Sequence, residues 1–186
     1  MKKAIAFILI TTMLLMTMGC GAKEETPQVD VKEAIEILDT VWATYAEDEM
    51  FAAVGGDYDN MVDGAPGVVN LSIPENVDSL LGLPQDTVTK VDDCASLIHM
   101  MNANTFTAGV YHVTDSADVE TVVGDIKENL SNRQWMCGFP EKLVIATVGD
   151  YVVSAFGNGE IIDTFKTKLM ESYEATVISV EENLVG

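Results

Sequence analysis

Positive charge is what this sequence has least of. Its 186 residues include 10 lysines and arginines against 30 aspartates and glutamates, and Arg133 is the only arginine. Nucleic acids and anionic lipid headgroups are held by clustered Lys and Arg side chains, which neutralise phosphates. The composition therefore argues against nucleic acid as a partner, and against membrane attachment through a basic face.

Catalytic signatures are also missing. The chain contains no nucleophile elbow, phosphate-cradling glycine loop, zinc-protease helix or dinucleotide fingerprint. We therefore predict a protein that is not an enzyme and that uses no cofactor. The enzymatic alternative is a small hydrolase in which Cys94 and His112 face each other across a hairpin as a Cys–His nucleophile, although no third orienting group can be named.

Cysteine and histidine are scarce. If Cys20 carries lipid, Cys94 and Cys137 form an even pair, which permits a disulfide in an exported protein; two buried thiols are the alternative. His99 and His112 are expected on one face of paired strands, but ~13 Å apart at ~3.3 Å per residue. Zinc ligands converge far more closely, so we predict no metal site.

One acidic loop, residues 57–64, invites comparison with a calcium site. Its three aspartates lie near glycines, but an EF-hand needs acidic or amide groups at positions one, three and five and glycine at six. Met61 and Val62 stand at the fifth and sixth positions. A solvated acidic loop is the preferred interpretation, and a calcium-dependent surface protein is an alternative function.

A long apolar run occurs only at the N-terminus. Lys2 and Lys3 precede an uncharged stretch, residues 4–18, which is typical of a signal peptide. This stretch is shorter than the ~20 residues that a membrane-spanning helix needs. The pattern therefore predicts export rather than a retained transmembrane helix.

The end of that run, Thr17-Met18-Gly19-Cys20, resembles the lipobox of bacterial lipoproteins, with threonine where leucine is usual. We predict a signal peptide over 1–19, lipidation of Cys20, and a polar tether over 20–29. Cleavage would leave 8 basic and 30 acidic residues, a charge of −22. Two acyl chains suffice for stable anchoring, which predicts residence at the extracytoplasmic face of the cell membrane.

Two hairpins dominate the expected fold. Residues 97–101 and 105–113 are β-rich runs separated by Asn102-Ala103-Asn104. Residues 143–148 and 151–156 flank Gly149-Asp150, and glycine at the first loop position suits a type II′ turn. We expect four strands from these two hairpins.

A helix should follow each hairpin, and another should begin near Asp30 and Glu33. The expected fold class is α+β: a two-layer antiparallel sheet of about four strands from two ββα units, with helices on one face and an N-terminal helix, all in one domain over 30–186. The other sheet face would then be uncovered. The apolar positions that repeat between the two later helices are Val122, Val123, Ile126 and Leu130 in one, and Ile161, Ile162, Phe165 and Leu169 in the other.

The remaining segments give weaker patterns. We expect a loop-rich stretch over 47–66, a short strand over 68–73, a short helix over 74–83 and a terminal strand over 176–180.

Several segments together resemble a known group. Leu81-Gly82-Leu83-Pro84, Met100-Met101, Ala117-Asp118-Val119 and Gly149-Asp150-Tyr151-Val152-Val153 occur in an order similar to that of small lipoproteins from Gram-positive bacteria, built around a domain of unknown function. The resemblance covers approximately residues 39–157. It implies a lipid-anchored protein of the Gram-positive cell surface, and no catalytic residues.

The loop at residues 135–140 is the candidate binding patch. Trp135 and Phe139 would form an exposed aromatic cluster there, with capping of the core as the alternative role. Our hypothesis is a non-enzymatic, lipid-anchored binding or interaction module whose partner is an unknown protein or small-molecule ligand. Its contact surface would be this loop or the uncovered sheet face.

Overall fold

The computed structural model describes residues 29–136 and 138–184. The predicted signal peptide, the predicted lipidation site Cys20 and most of the predicted tether lie outside these residues. Cys137 does too, so one partner of the disulfide that the cysteine count permits lies outside the described part. Val29 and Val31 already pack against the core.

The described chain forms four helices and eight strands. The helices are α1 (Ala34–Trp42), α2 (Pro74–Leu81), α3 (Val119–Asn132) and α4 (Gly159–Ser172). The strands are β1 (Ala53–Gly56), β2 (Met61–Asp63), β3 (Gly67–Val68), β4 (Val91–His99), β5 (Phe106–Val113), β6 (Lys142–Val148), β7 (Tyr151–Gly157) and β8 (Thr176–Asn183).

All eight strands join one antiparallel sheet, in the order β2-β1-β4-β5-β7-β6-β8, with β3 also paired to β4. The α+β class is correct, but the expectation of about four strands is wrong. Both predicted hairpins form, and Gly149 takes a positive φ of 61° at the second turn. The additional strands are β8, which extends the short terminal strand expected from the sequence, and three short ones between α1 and β4.

Helices cover both faces of the sheet, so the prediction of helices on one face is also wrong. One core contains the apolar sides of α1 and α4, and the other contains those of α2 and α3. The two later helices each have 14 residues but lie on opposite faces. Every residue of β7 is buried, which requires cover on both sides. The domain therefore has three layers, and an uncovered sheet face is not available as a contact surface.

The chain enters the fold beside the start of β7. The Tyr151 hydroxyl donates to the Val31 carbonyl at 3.3 Å, and the Ala34 N–H donates to Asp93 Oδ2 at 2.6 Å. Asp93 thus caps α1 from a distant strand, whereas Glu33 at the N-cap position makes no side-chain cap. We call the end of the sheet at which Tyr151 and Asp93 lie the entry end.

Within the described residues, no helix combines the length and the apolar character needed to cross a bilayer.

Candidate binding surface

Exposed methionines gather at the end of the sheet away from the entry end. Six methionines follow the predicted leader, and all six are 47 to 80% exposed, although methionine is among the side chains most often buried. Five of them lie in the turn between β4 and β5 or in the segments beside that turn. The sixth, Met170, lies on α4. We call this surface the methionine end. Its methionines are Met50, Met61, Met100, Met101 and Met136.

Hydrogen bonds tie these separate segments together. Asn104, in the turn after β4, donates from Nδ2 to the carbonyls of Met136 and Gly138, both at 2.9 Å. The Met100 N–H donates to the Ala52 carbonyl at 2.8 Å, which fixes the segment just before β1 against the same turn. The methionine end is therefore one surface built from three distant parts of the chain.

A first cleft of about 200 Å³ opens on this surface. Tyr58 and three of the methionines line it, together with the apolar side chains of Leu80 and Ile98. Met101 is 77% exposed at its rim. Since drug-sized ligands occupy pockets of ~300 Å³ or more, this cleft is sized for one or two large apolar side chains.

A second cleft of about 230 Å³ contains the predicted patch residues Trp135 and Phe139. The Trp135 ring packs on Phe156 at 5.2 Å between ring centroids, so this side chain does cap the core. Phe139 is 55% exposed. The structure thus brings the two aromatic residues to one cleft but gives them different environments; their role in binding stays a prediction.

Arg133 forms part of this cleft but is committed to the fold. Its guanidinium lies 5.4 Å from the Trp135 ring centroid, and Nη2 donates to the Asp78 carbonyl at 2.6 Å, at the end of α2. Burial lowers the pKa of Arg133 in spite of the nearby Asp78 carboxylate. The side chain joins α3 to α2 and orients the tryptophan.

The acidic loop has a structural role. Asp57, which the sequence predicts to be solvated, is 5% exposed. Its Oδ1 accepts the backbone N–H groups of Asp59 and Asn60 at 2.9 Å, and its Oδ2 accepts that of Asn70 at 2.7 Å. Burial alone would raise the pKa of Asp57, but these hydrogen bonds outweigh burial and lower it. The carboxylate holds together the loop that carries Tyr58.

Two backbones cross closely beneath this loop. A Cβ added to Gly55 would lie 2.2 Å from the Gly67 nitrogen, and one added to Gly67 would lie 2.4 Å from the Gly56 nitrogen. The Ser96 hydroxyl donates to the Gly56 carbonyl at 2.6 Å and locks the crossing to β4. Only glycine permits this approach, which supports the inner wall of the first cleft.

Cys94 and His112 are not brought together. Cys94 lies opposite Tyr111, whereas His112 lies opposite Asp93, in the register that continues without a shift to Ile98. Neighbouring positions on a strand point to opposite faces, so the two side chains lie on different sides of the sheet. Cys94 is buried, and burial raises the pKa of its thiol, the reverse of what a nucleophile needs.

The two histidines are also separate. His99 stacks on Phe51 near the methionine end, and His112 lies 2.6 Å from Asp92 near the entry end. Across the described residues, no group of three His, Cys, Asp or Glu side chains is placed to hold a metal ion.

Uncompensated negative charge borders the methionine end. Glu47 and Asp48 precede Met50, and Asp59 and Asp63 flank Met61; all four are exposed. Within residues 29–136 and 138–184, no lysine or arginine lies in ion-pair range of any of them. The lysines of this side are already engaged within the chain: Lys142 with Asp163 and Glu181, Lys166 with the same two carboxylates, and Lys168 with Glu49.

Of the methionines at this end, only Met136 lies in the loop that the sequence indicates as the candidate patch, residues 135–140. Met100 and Met101 are expected within a strand, but β4 ends at His99 and both lie in the turn that follows. One signal was available: none of the methionines after the leader stands at an apolar position that repeats along an expected helix.

Comparison with family models, with curated proteins and with solved structures gives no match for this chain.

Proposed function

We propose that this protein is an extracytoplasmic, lipid-anchored binding module that acts by holding a partner at its methionine end. The observation that carries the proposal is the gathering of five exposed methionines and Phe139 at one end of the sheet. Flexible, polarizable methionine side chains are typical of surfaces that accommodate apolar partners.

The entry end and the methionine end lie at opposite ends of the strands, and this arrangement supports the proposed function. β5 and β7 pair from His112↔Tyr151 at the entry end to Phe106↔Gly157 at the methionine end. Six residue steps at ~3.4 Å separate the two ends by roughly 20 Å. A tether fixed to a membrane would join the entry end, so the methionine end would face away from the lipid and toward partners.

Anchoring is tested by replacing Cys20 with alanine. In cells fed an alkyne-bearing fatty acid, we expect label on the wild-type chain and none on Cys20→Ala, because the lipobox-like segment offers that one thiol. Cys137→Ala, which leaves Cys20 in place, should keep the label. Label that survives Cys20→Ala, or its absence from the wild type, would refute lipid anchoring.

Binding at the methionine end is tested by methionine oxidation. Peroxide converts exposed methionine to the sulfoxide. On the purified protein, we expect sulfoxide at all six methionines after the leader. On intact cells, a bound partner should protect the five at the methionine end but leave Met170 reactive.

The comparison contains its own control, because Met50 and Met170 are equally exposed at 47%. Mass spectrometry of both samples gives the ratio of oxidation for each residue. Equal oxidation of Met50 and Met170 on cells would contradict the proposal that this end is occupied.

A further inference from the structure

Deepening the proposed function, on which this inference rests, we infer that the occupant of the methionine end is a cationic amphipathic segment of another protein, anchored by apolar side chains in the two clefts. The inference combines three properties of the surface: the size of the clefts, the connection of their loops through Asn104, and the charge on their border.

The clefts suit side chains rather than a small molecule. They measure about 200 and 230 Å³, and each has an exposed large side chain at its rim. The first is lined mainly by apolar side chains, whereas the second combines Trp135, Phe139 and Leu184 with four polar residues. Asn104 links the loop of the second cleft to the turn that borders the first. An amphipathic helix projects apolar anchor residues along one face, at i, i+3, i+4, i+7 and onward, so a single helix can place side chains in successive pockets.

The acidic residues that border the methionine end favour a segment with positive charge. The acidic side chains beside Met50 and Met61 have no basic partner among the described residues, and the nearby lysines are engaged by other carboxylates. A partner that brings Lys or Arg would supply the missing counter-charge and associate faster at low salt.

The same border disfavours two other occupants. A second copy of this chain would bring its own acidic border, on a protein whose formal charge is −20. A bilayer surface rich in anionic lipid would be repelled for the same reason. A basic, apolar protein segment is the occupant that satisfies both the clefts and the charge.

The test uses the full chain in nanodiscs of zwitterionic phosphatidylcholine, with empty nanodiscs as the blank. The probe is a fluorescent helix-forming peptide of about 18 leucines and lysines with leucine on one face. Fluorescence anisotropy should show saturable binding that weakens as salt is raised. A peptide with glutamate in place of lysine, and a scrambled leucine–lysine peptide, should each bind at least roughly tenfold more weakly.

Matched variants locate the binding. Met101→Asp should weaken the lysine peptide roughly tenfold or more, and Met170→Asp, the same change on α4, should leave it unaffected. The double variant Asp59→Asn, Asp63→Asn should weaken binding a few-fold and reduce its salt dependence. Both acidic positions are exposed, so folding should be retained, which circular dichroism checks.

Several outcomes would overturn the inference. These are equal effects of Met101→Asp and Met170→Asp, equal binding of the glutamate peptide, preferential binding to phosphatidylglycerol vesicles, or self-association through the methionine end in sedimentation. If the lysine peptide did not bind but the methionines were still protected on cells, the cationic partner would be rejected and the proposed function would stand. Loss of that protection would reject the proposed function itself.

Discussion

Replacing Gly55 with alanine is expected to lower the free energy of unfolding by about 3 kcal/mol or more. The added Cβ would lie 2.2 Å from the Gly67 nitrogen, 2.3 Å from the Pro66 carbonyl carbon and 2.5 Å from the Ala65 oxygen. These are backbone atoms, which cannot rotate away as a side chain does, so β1 must move off the sheet. Urea unfolding followed by circular dichroism measures the change.

The matched control is Gly124→Ala in α3. No heavy atom lies within 4 Å of the added Cβ there, and alanine is the better helix former. We expect a gain of about 0.5 to 1 kcal/mol. If Gly55→Ala left stability unchanged, or raised it as Gly124→Ala should, the close crossing of β1 would be disproved.

The second large effect is expected for Asp57→Ala. The substitution leaves the Asp59 and Asn70 N–H groups without an acceptor inside a partly buried loop, whereas the Asn60 N–H keeps the Asp57 backbone carbonyl at 3.3 Å. Each unsatisfied donor costs about 1 to 3 kcal/mol. Because water reaches part of this loop, we expect a total loss of about 2 to 4 kcal/mol near neutral pH. Thermal and urea unfolding give the value.

Asp59→Ala serves as the control, because it removes the same charge two residues away. The Asp59 carboxylate is exposed and accepts no hydrogen bond from the described residues, so stability should change by less than about 0.5 kcal/mol. Similar losses for the two variants would show that charge, rather than the hydrogen bonds of Asp57, supports the loop.

The Asp57 effect should depend on pH in a defined direction. The pKa of Asp57 is lowered in the folded protein, so the folded state favours the ionised form. Its contribution is fully present above the unfolded pKa of about 3.9, and it is lost as pH falls through the lower folded pKa. The stability difference between wild type and Asp57→Ala should therefore be constant from neutral pH to about pH 5 and shrink below pH ~4. A difference that grew as pH fell would contradict this assignment.

The parts of the fold that local chemistry decides are predictable from the sequence. Gly149-Asp150 between two apolar runs fixes a hairpin, because the turn needs a positive φ that glycine supplies. Asn158 caps α4 by accepting the N–H groups of Glu160 and Ile161, which lie two and three residues after it. Each of these features depends on residues that are neighbours in the chain.

The errors arise where distant residues decide the structure. Gly55-Gly56 is typical of a loop, yet it forms β1 because a second backbone segment packs where side chains would stand. The burial of the sheet on both faces is indicated by nearly continuous apolar runs in β6 and β7, interrupted only by Thr147 and Ser154 within them, which lack the alternation of a half-exposed strand. Strands with this pattern need cover on both faces, which is why helices on one face alone could not bury them.

In the candidate site, too, contacts between chain neighbours are predictable from the sequence, and contacts between distant segments are not. Trp135 and Phe139 lie close in sequence, so their shared cleft was predictable as an aromatic loop. Met61, Met100 and Met136 come from separate segments, and only the sheet and the hydrogen bonds of Asn104 gather them. No spacing rule connects such positions before the fold is known.

The attachment of the chain at the entry end has a mechanical consequence. Val31 and Ala34 are bound to the ends of β7 and β4, two strands that flank the centre of the sheet. Tension between a tether at this end and a partner held at the other would run along the strands, perpendicular to the hydrogen bonds between them. Many of those bonds would then share the load in shear instead of breaking one after another, so the domain would resist being unfolded by a force applied between its two ends.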